Sequence, residues 1–411
     1  MEKDLGLIRD KIMKLLLEKS GESYIDYAKL DEDVFQRRIE SVFKSILQKN
    51  KELVLTRHEQ EQILSEIISY LLGLGPIDNL LRNPEVTEIM VNGPNRVYIE
   101  KNGNLELTGI TFRDEDHMMY FIEKIISPLG RRATELDPYV DARLSDGSRV
   151  NIVRAPVSSV GPILTIRKFS RRVLTIDDLI NLGTLDSITA EFLKAAVISR
   201  LNLLISGGAS SGKTTLLNVL ASFTPEGERV ITIEDTRELR FSREHTVYLE
   251  TRPPNIEGKG AITIRDLIKN SLHMRPDRII VGEVRSDEVL DMIQAMNTGH
   301  EGSMATLHAN SPTEALDRLE VLALMGSNNI SGEVAKRQIV SAINLIVHMN
   351  RRVDGSRKIT QISEVVKSRE YLLQDLFILE DEKLKPTGKK PAFYKRLAEK
   401  ANYRPDFFSE G

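Results

Sequence analysis

Apolar residues recur at helical spacing through roughly the first 75 positions and then switch to alternation. Leu7, Ile8, Ile12, Leu15 and Leu16 form one helical face. Val34, Ile39, Val42, Phe43 and Ile46 form a second, and Ile63, Ile67, Ile68 and Leu71 a third. Three amphipathic helices with charged outer faces predict a small bundle over residues 1–75, the charged faces reading as solvated surface. The period then falls to two. Glu88 to Val91 and Arg96 to Glu100 flank the turn residues Asn92-Gly93-Pro94-Asn95. A helix follows over about 114–127. Tyr139 to Leu144 and Ser148 to Val153 flank Ser145-Asp146-Gly147 as a second hairpin, and Ile163 to Phe169 is a further strand. Residues 80–170 therefore read as a mixed α+β domain, and 171–178 as a linker.

From about 175 to 365 strands alternate with helices, which implies a largely parallel sheet. The candidate strands are 201–206, 229–234, 278–284, 302–308 and 342–349. Ser311-Pro312-Thr313-Glu314 reads as a capping box, Ser311 and Glu314 bonding reciprocally, and predicts a helix start with Pro at the first helical position. This α/β domain is bounded at 179–380. The strongly charged residues 381–411 read as a short appendage. A chain of 411 residues is long enough for two or three such domains.

The loop Gly207-Gly208-Ala209-Ser210-Ser211-Gly212-Lys213-Thr214 carries the most specific chemistry. It fits G-x-x-x-x-G-K-[ST] at every defined position. The apolar strand Leu201 to Ile205 precedes it and a helix follows, so backbone N–H groups and the positive helix end converge on a polyphosphate. Lys213 is expected to reach the β- and γ-phosphates of ATP, Thr214 to hold Mg2+, and Thr215 to complete the nucleotide contacts. An acid is then needed on a neighbouring strand. Arg278-Ile279-Ile280-Val281-Gly282-Glu283 supplies it: Glu283 falls at the strand's carboxyl end, with Gly282 standing where an Asp is usual. Glu234 and Glu238, in Thr232 to Glu238, are expected to hold Mg2+-bound water, and Asp235 lies between them. His300 and His308 flank a short strand. Further ligands at zinc spacing are lacking, and His308 reads as a donor toward the γ-phosphate, while both remain open to a buried structural role.

Composition narrows the class. The net charge of −3 gives no bulk bias toward nucleic acid, and no nucleic-acid partner is expected. The absence of cysteine excludes disulfides, thiolate metal sites and thiol catalysis. The charged start Met1-Glu2-Lys3-Asp4 lacks a signal-peptide core, and no run approaches the ~20 apolar residues that cross a bilayer. The expectation is a cytoplasmic chain that docks on a membrane complex without inserting.

Together these blocks resemble the type II/type IV secretion-system ATPase superfamily. Residues 207–214 look like its Walker A, 232–238 its Asp box, 278–283 its atypical Walker B and 298–310 its His box. Val86 to Gly93, Val140 to Leu144 with Asp146 to Val150, and Leu164 to Phe169 are similar to the CpaF branch, which powers tight-adherence (Tad, type IVc) pilus assembly. The resemblance covers roughly 80–400. It implies a RecA-like P-loop ATPase domain preceded by a PAS-like domain, a homo-hexamer peripherally docked at the inner membrane, and a polytopic inner-membrane platform protein as partner. It also implies that Arg149 and Arg167 reach the nucleotide phosphates. The missing tetracysteine zinc module favours the CpaF branch or another branch without it. A conjugation or effector-secretion motor of the same superfamily, a nucleic-acid motor and a nucleotide-gated scaffold are the competing functions.

Overall fold

A computed structural model describes residues 8, 11–12, 15, 32–50, 53, 55–71, 74–101, 103–144, 146–169, 173–241, 243–254, 259–326, 330–368 and 370–408. Leu7 and Leu16 of the first helical face, Ser145 of the second hairpin turn, Ser170 at the end of the α+β domain and residues 171–172 of the expected linker lie outside them. The chain divides into two compact units, Met1–Ser170 and Arg171–Gly411.

In the first unit, helices α1 (Glu32–Lys49) and α2 (Arg57–Leu71) bury Ile39, Phe43, Ile46, Ile63 and Ile67 with Ile12 in one apolar cluster. Thr56 starts α2 with reciprocal bonds: its hydroxyl accepts from the Glu59 N–H while the Glu59 carboxylate accepts from the Thr56 N–H. After the short α3 (Asp78–Arg82) comes an antiparallel sheet of six strands: β1 (Val86–Asn92), β2 (Val97–Lys101), β3 (Asn104–Leu107), β4 (Tyr139–Arg143), β5 (Arg149–Val153) and β6 (Ile163–Arg167). Their spatial order is β3-β2-β1-β6-β5-β4. Helix α4 (Glu115–Ile126) starts where Asp114 accepts from the His117 N–H. It buries Met118, Phe121, Ile122, Ile125 and Ile126 with Ile89, Val91, Val97, Val150, Ile152, Leu164 and Ile166. Those strand residues alternate, so their neighbours, Arg149 and Arg167 included, belong to the opposite face.

The second unit opens with α5 (Ile176–Asn181), capped by Thr175 and Asp178, so the helix takes up the end of the stretch read as a linker. Helix α6 (Ser187–Ile198) leads into β7 (Leu203–Gly207), the phosphate loop and α7 (Lys213–Ala221). Strand β8 (Val230–Glu234) and β9 (Thr246–Glu250) follow, then α8 (Ile264–Ser271), β10 (Arg278–Val284), α9 (Glu288–Asn297), β11 (Met304–His308), α10 (Pro312–Met325), α11 (Gly332–Ala342) and β12 (Leu345–Arg351). Ser311 caps α10 as expected, but Glu314 reaches back to the Asn310 N–H rather than to Ser311. These strands form a parallel block in the order β12-β7-β11-β10-β8-β9.

The sheet does not end there. Strands β13 (Arg357–Val366), β14 (Leu372–Glu380) and β15 (Lys383–Pro386) extend it antiparallel beyond β12 to nine strands. The described part of the segment read as a charged appendage, 381–408, is thus part of the fold. Leu384 of β15, Leu397 of helix α12 (Tyr394–Ala401) and Phe408 are buried with Phe192 and Phe377 in one core cluster. Their charge misleads because only a few apolar side chains in that segment face inward, the rest being long solvated stems.

The buried Glu364 of β13 ties down this last segment by accepting from the Ala392 N–H at 3.0 Å. Burial raises its carboxyl pKa to about 7. A carboxyl raised on folding binds its proton more tightly in the folded state. Its contribution to stability is therefore full at low pH and lost as pH rises through about 7. We expect Glu364→Gln to flatten the fall in stability between mildly acidic and neutral pH, measured by denaturant unfolding across that range. An unchanged pH slope would contradict this.

Candidate active site

Four parallel strands in adjacent positions bring the site together. Strand β7 ends at Gly207, β11 at His308, β10 at Val284 and β8 at Glu234. Gly207 lies directly opposite His308, and Ile233 opposite Val281, so the carboxyl ends sit level. Such an edge is where open α/β sheets place their sites.

The loop backbone is shaped for close approach. Gly207 has φ +156°, and a Cβ there would meet the Met349 carbonyl oxygen at 2.3 Å. Ser210 and Gly212 have φ +54° and +95°, the left-handed turns that aim successive N–H groups inward. Lys213 and Thr214 then open α7 at its positive end. The Lys213 ammonium donates to the Gly207 and Gly208 carbonyls at 3.1 and 2.7 Å. Arg357 of β13 donates to the Ser210 carbonyl at 3.0 Å. An open cleft of about 620 Å3 lies beside the loop, lined in part by Gly208, Ala209, His308, Asn310, Glu314 and Arg318. That volume is within the roughly 300–1,000 Å3 of small-molecule sites.

From Lys213 a continuous polar chain crosses the strand ends. Lys213 Nζ lies 3.4 Å from His308 Nδ1. An ammonium offers only protons, so Nδ1 accepts and the neutral ring carries its hydrogen on Nε2. Nε2 stands 2.9 Å from Glu283 Oε1. Arg285 donates to Glu283 Oε2 at 2.6 Å and to Asp235 Oδ2 at 3.2 Å. Burial and the adjacent Lys213 charge lower the His308 pKa, which keeps it neutral near pH 7. Burial alone would raise Glu283, but Arg285, reinforced by His308 and Lys213, outweighs it and holds the carboxyl below its ordinary value. Glu283 is therefore an anion.

Glu234 is placed differently from the expectation of a free carboxylate near Mg2+. It is buried, and its oxygens accept from the Glu238 and Leu239 N–H groups at 2.9 and 3.1 Å. Burial raises its pKa to about 7. Its side chain also explains Gly282: a Cβ there would meet Glu234 Cγ at 2.8 Å. The strand end that usually presents an Asp is filled instead by an acid from β8. The Thr214 hydroxyl has no hydrogen-bond partner among the described residues, and its place on the first turn of α7 fits a cation beside bound phosphate. His300 stands at the opposite end of β11, with Nδ1 3.0 Å from the Pro276 carbonyl oxygen, a structural contact. Arg149 and Arg167 belong to the first unit, where they face each other directly across β5 and β6. Two residues went unread in the sequence. Arg285 could have been found, since it follows Glu283 by two positions in extended chain. Arg357 carried no signal, because the antiparallel return that brings it to the loop was not anticipated.

Residues 71–376 match the family model described as type II/IV secretion system protein. The chain belongs to this family. It is 33% identical over 299 residues to a putative conjugal transfer protein of Mycobacterium tuberculosis, covering 71% of this chain and 84% of that one. It is 32% identical to the conjugal transfer protein TrbB of Rhizobium radiobacter, over 71% of this chain and 86% of that one. The fold is similar to the crystal structure of the pilus retraction motor PilT with bound ADP, with TM-score 0.51 and 17% identity over 79% of this chain and 85% of that one. Among the described residues, no helix is long and apolar enough to cross a membrane.

The pairing of Gly282 with Glu234 makes a direct prediction. Gly282→Ala should destabilise the second unit by about 1–3 kcal/mol through overpacking. That cost should largely disappear when Glu234→Ala is already present, giving a coupling of similar size in a double-mutant cycle read by denaturant unfolding. Simple additivity would contradict the proposed displacement of the acid.

Proposed function

We propose that the chain is a cytoplasmic ATP-hydrolysing motor, working as a ring of six copies, that powers assembly of a Tad (type IVc) pilus or a related secretion machine. The observation that carries the reading is the junction of the phosphate-loop Lys213 with the ionised Glu283 through His308. A binding scaffold needs the loop but not an acid held ionised beside it.

Water would displace ADP from the γ-phosphorus of ATP, yielding phosphate. Lys213 faces the β/γ oxygens, and the loop N–H groups hold the chain of phosphates. Thr214, with Glu238 through water, would hold Mg2+, which neutralises charge on the transferring phosphoryl when bound; the buried Glu234 carboxylate is taken up by the Glu238 and Leu239 N–H groups. Glu283, with its low pKa, orients the attacking water and is a weak base toward it. His308 stands between this acid and Lys213, so it senses whether a γ-phosphate draws the ammonium away. Arg149 and Arg167 would add positive charge at the phosphates.

A polytopic inner-membrane platform protein is the proposed partner, with the ring docked peripherally on it. The PAS-like reading of the first unit belongs to the same proposal. A type IV secretion motor for conjugation or effector export is the second reading. The two relatives named for conjugal transfer favour it. Complementation of a deletion strain, scored for surface pili and for substrate transfer, separates the two.

The purified chain should hydrolyse ATP, and Lys213→Ala should lower turnover by about 100-fold or more, the size expected when charge facing the transferring phosphoryl is lost. Native mass measurement with an ATP analogue should give six copies. Turnover in Lys213→Ala at the parental level would overturn the site. A strictly monomeric, fully active chain would overturn the ring.

A further inference from the structure

We propose that Arg285 is a positioning residue for hydrolysis: it bridges Asp235 and Glu283 and sets the direction in which the Glu283 carboxylate addresses the attacking water. This rests on the reading of Glu283 as the water-orienting acid.

The main chain of Arg285 is pinned first. Its N–H and that of Ser286 both donate to Oε1 of the buried Glu288, at 2.6 and 3.0 Å. The side chain thus leaves a fixed turn just past β10. Its planar head then divides: Nη2 goes to Glu283 and Nη1 to Asp235, which follows β8. A guanidinium holds two separate acceptors in one plane, whereas an ammonium is a single point charge. Glu283 is consequently held at one oxygen by Arg285 and faced at the other by His308 Nε2. Each carboxylate oxygen has two acceptor sites, so Oε2 keeps one beyond its bond to Arg285, while Oε1 is buried beside His308. Without Arg285, Asp235 and Glu283 would lose the cation that bridges them, and their mutual repulsion would turn Glu283 away.

A plain surface ion pair is the competing explanation, and the two differ in what they move. The Arg285 side chain is 53% exposed. Exposed pairs contribute little to stability, so the fold should tolerate its loss. A positioning role should instead appear in turnover while substrate affinity stays put.

The test uses the full-length chain, with kcat, ATP dissociation constant and thermal midpoint measured for Arg285→Gln, Arg285→Lys, Asp235→Asn and the Gln/Asn double variant. Arg285→Gln should lower kcat roughly 10- to 100-fold, the range typical of partners that orient a functional side chain. ATP affinity should stay within about twofold. Arg285→Lys should recover only part of kcat. Asp235→Asn should cost less than Arg285→Gln and nothing further in the double variant, since it acts through the arginine. An active parental chain with kcat of Arg285→Gln within about twofold of it overturns this proposal alone. So does an Arg285→Gln variant that unfolds, or full additivity with Asp235→Asn. A parental chain without ATPase activity overturns the reading of Glu283 together with it.

Discussion

The site depends on keeping an ammonium and a carboxylate close without letting them collapse into one another. Lys213 and Glu283 carry opposite charges at the ends of strands separated by a single strand. A direct pair would satisfy both and leave neither for phosphate or water. His308, at the end of the intervening β11, prevents this. Its neutral ring accepts from one side and stands 2.9 Å from the carboxylate on the other. The sheet makes this possible, because parallel register fixes Gly207 opposite His308 and brings β10 alongside. Everything that keeps the nine-stranded sheet rigid, including the buried Leu397 and Phe408 near its carboxyl-terminal end, therefore bears on the chemistry.

The acids at this edge have divided their work through burial and partners. Glu283 is mostly buried, paired with a cation and ionised. Glu234 is buried, bonded to backbone N–H groups and raised to about 7. In the proposed mechanism one acts on the reacting water, while the other fixes the turn that carries Glu238 and fills the space that Gly282 leaves open. Adjacent carboxyls with separated pKa values are a common way for one site to hold distinct roles.

The legible parts of the fold were those where pattern and burial coincide. Strand β10 was readable at Arg278–Val284 because its centre, Ile279-Ile280-Val281, is fully buried and reads as one apolar run. Helix α4 was readable because its apolar face and acidic first turn agree. The phosphate loop was readable from spacing alone. What stayed hidden depends on long-range pairing. Lys383-Leu384-Lys385 shows one inward side chain between two lysines, too little to mark a strand. Arg357 reaches Ser210 only because β13 returns antiparallel to β12. The meaning of Gly282 needed the neighbouring strand, since nothing local says that a glutamate from β8 fills its place.

The central claim is that Glu283 is held ionised at the strand edge to act on water, and not to bind nucleotide. Single-turnover hydrolysis and ATP binding by Glu283→Gln test it most directly. The change keeps the shape and removes only the acid. The account predicts ATP binding within about twofold of the parental chain and hydrolysis slower by about 100-fold or more. Hydrolysis near the parental rate would contradict it.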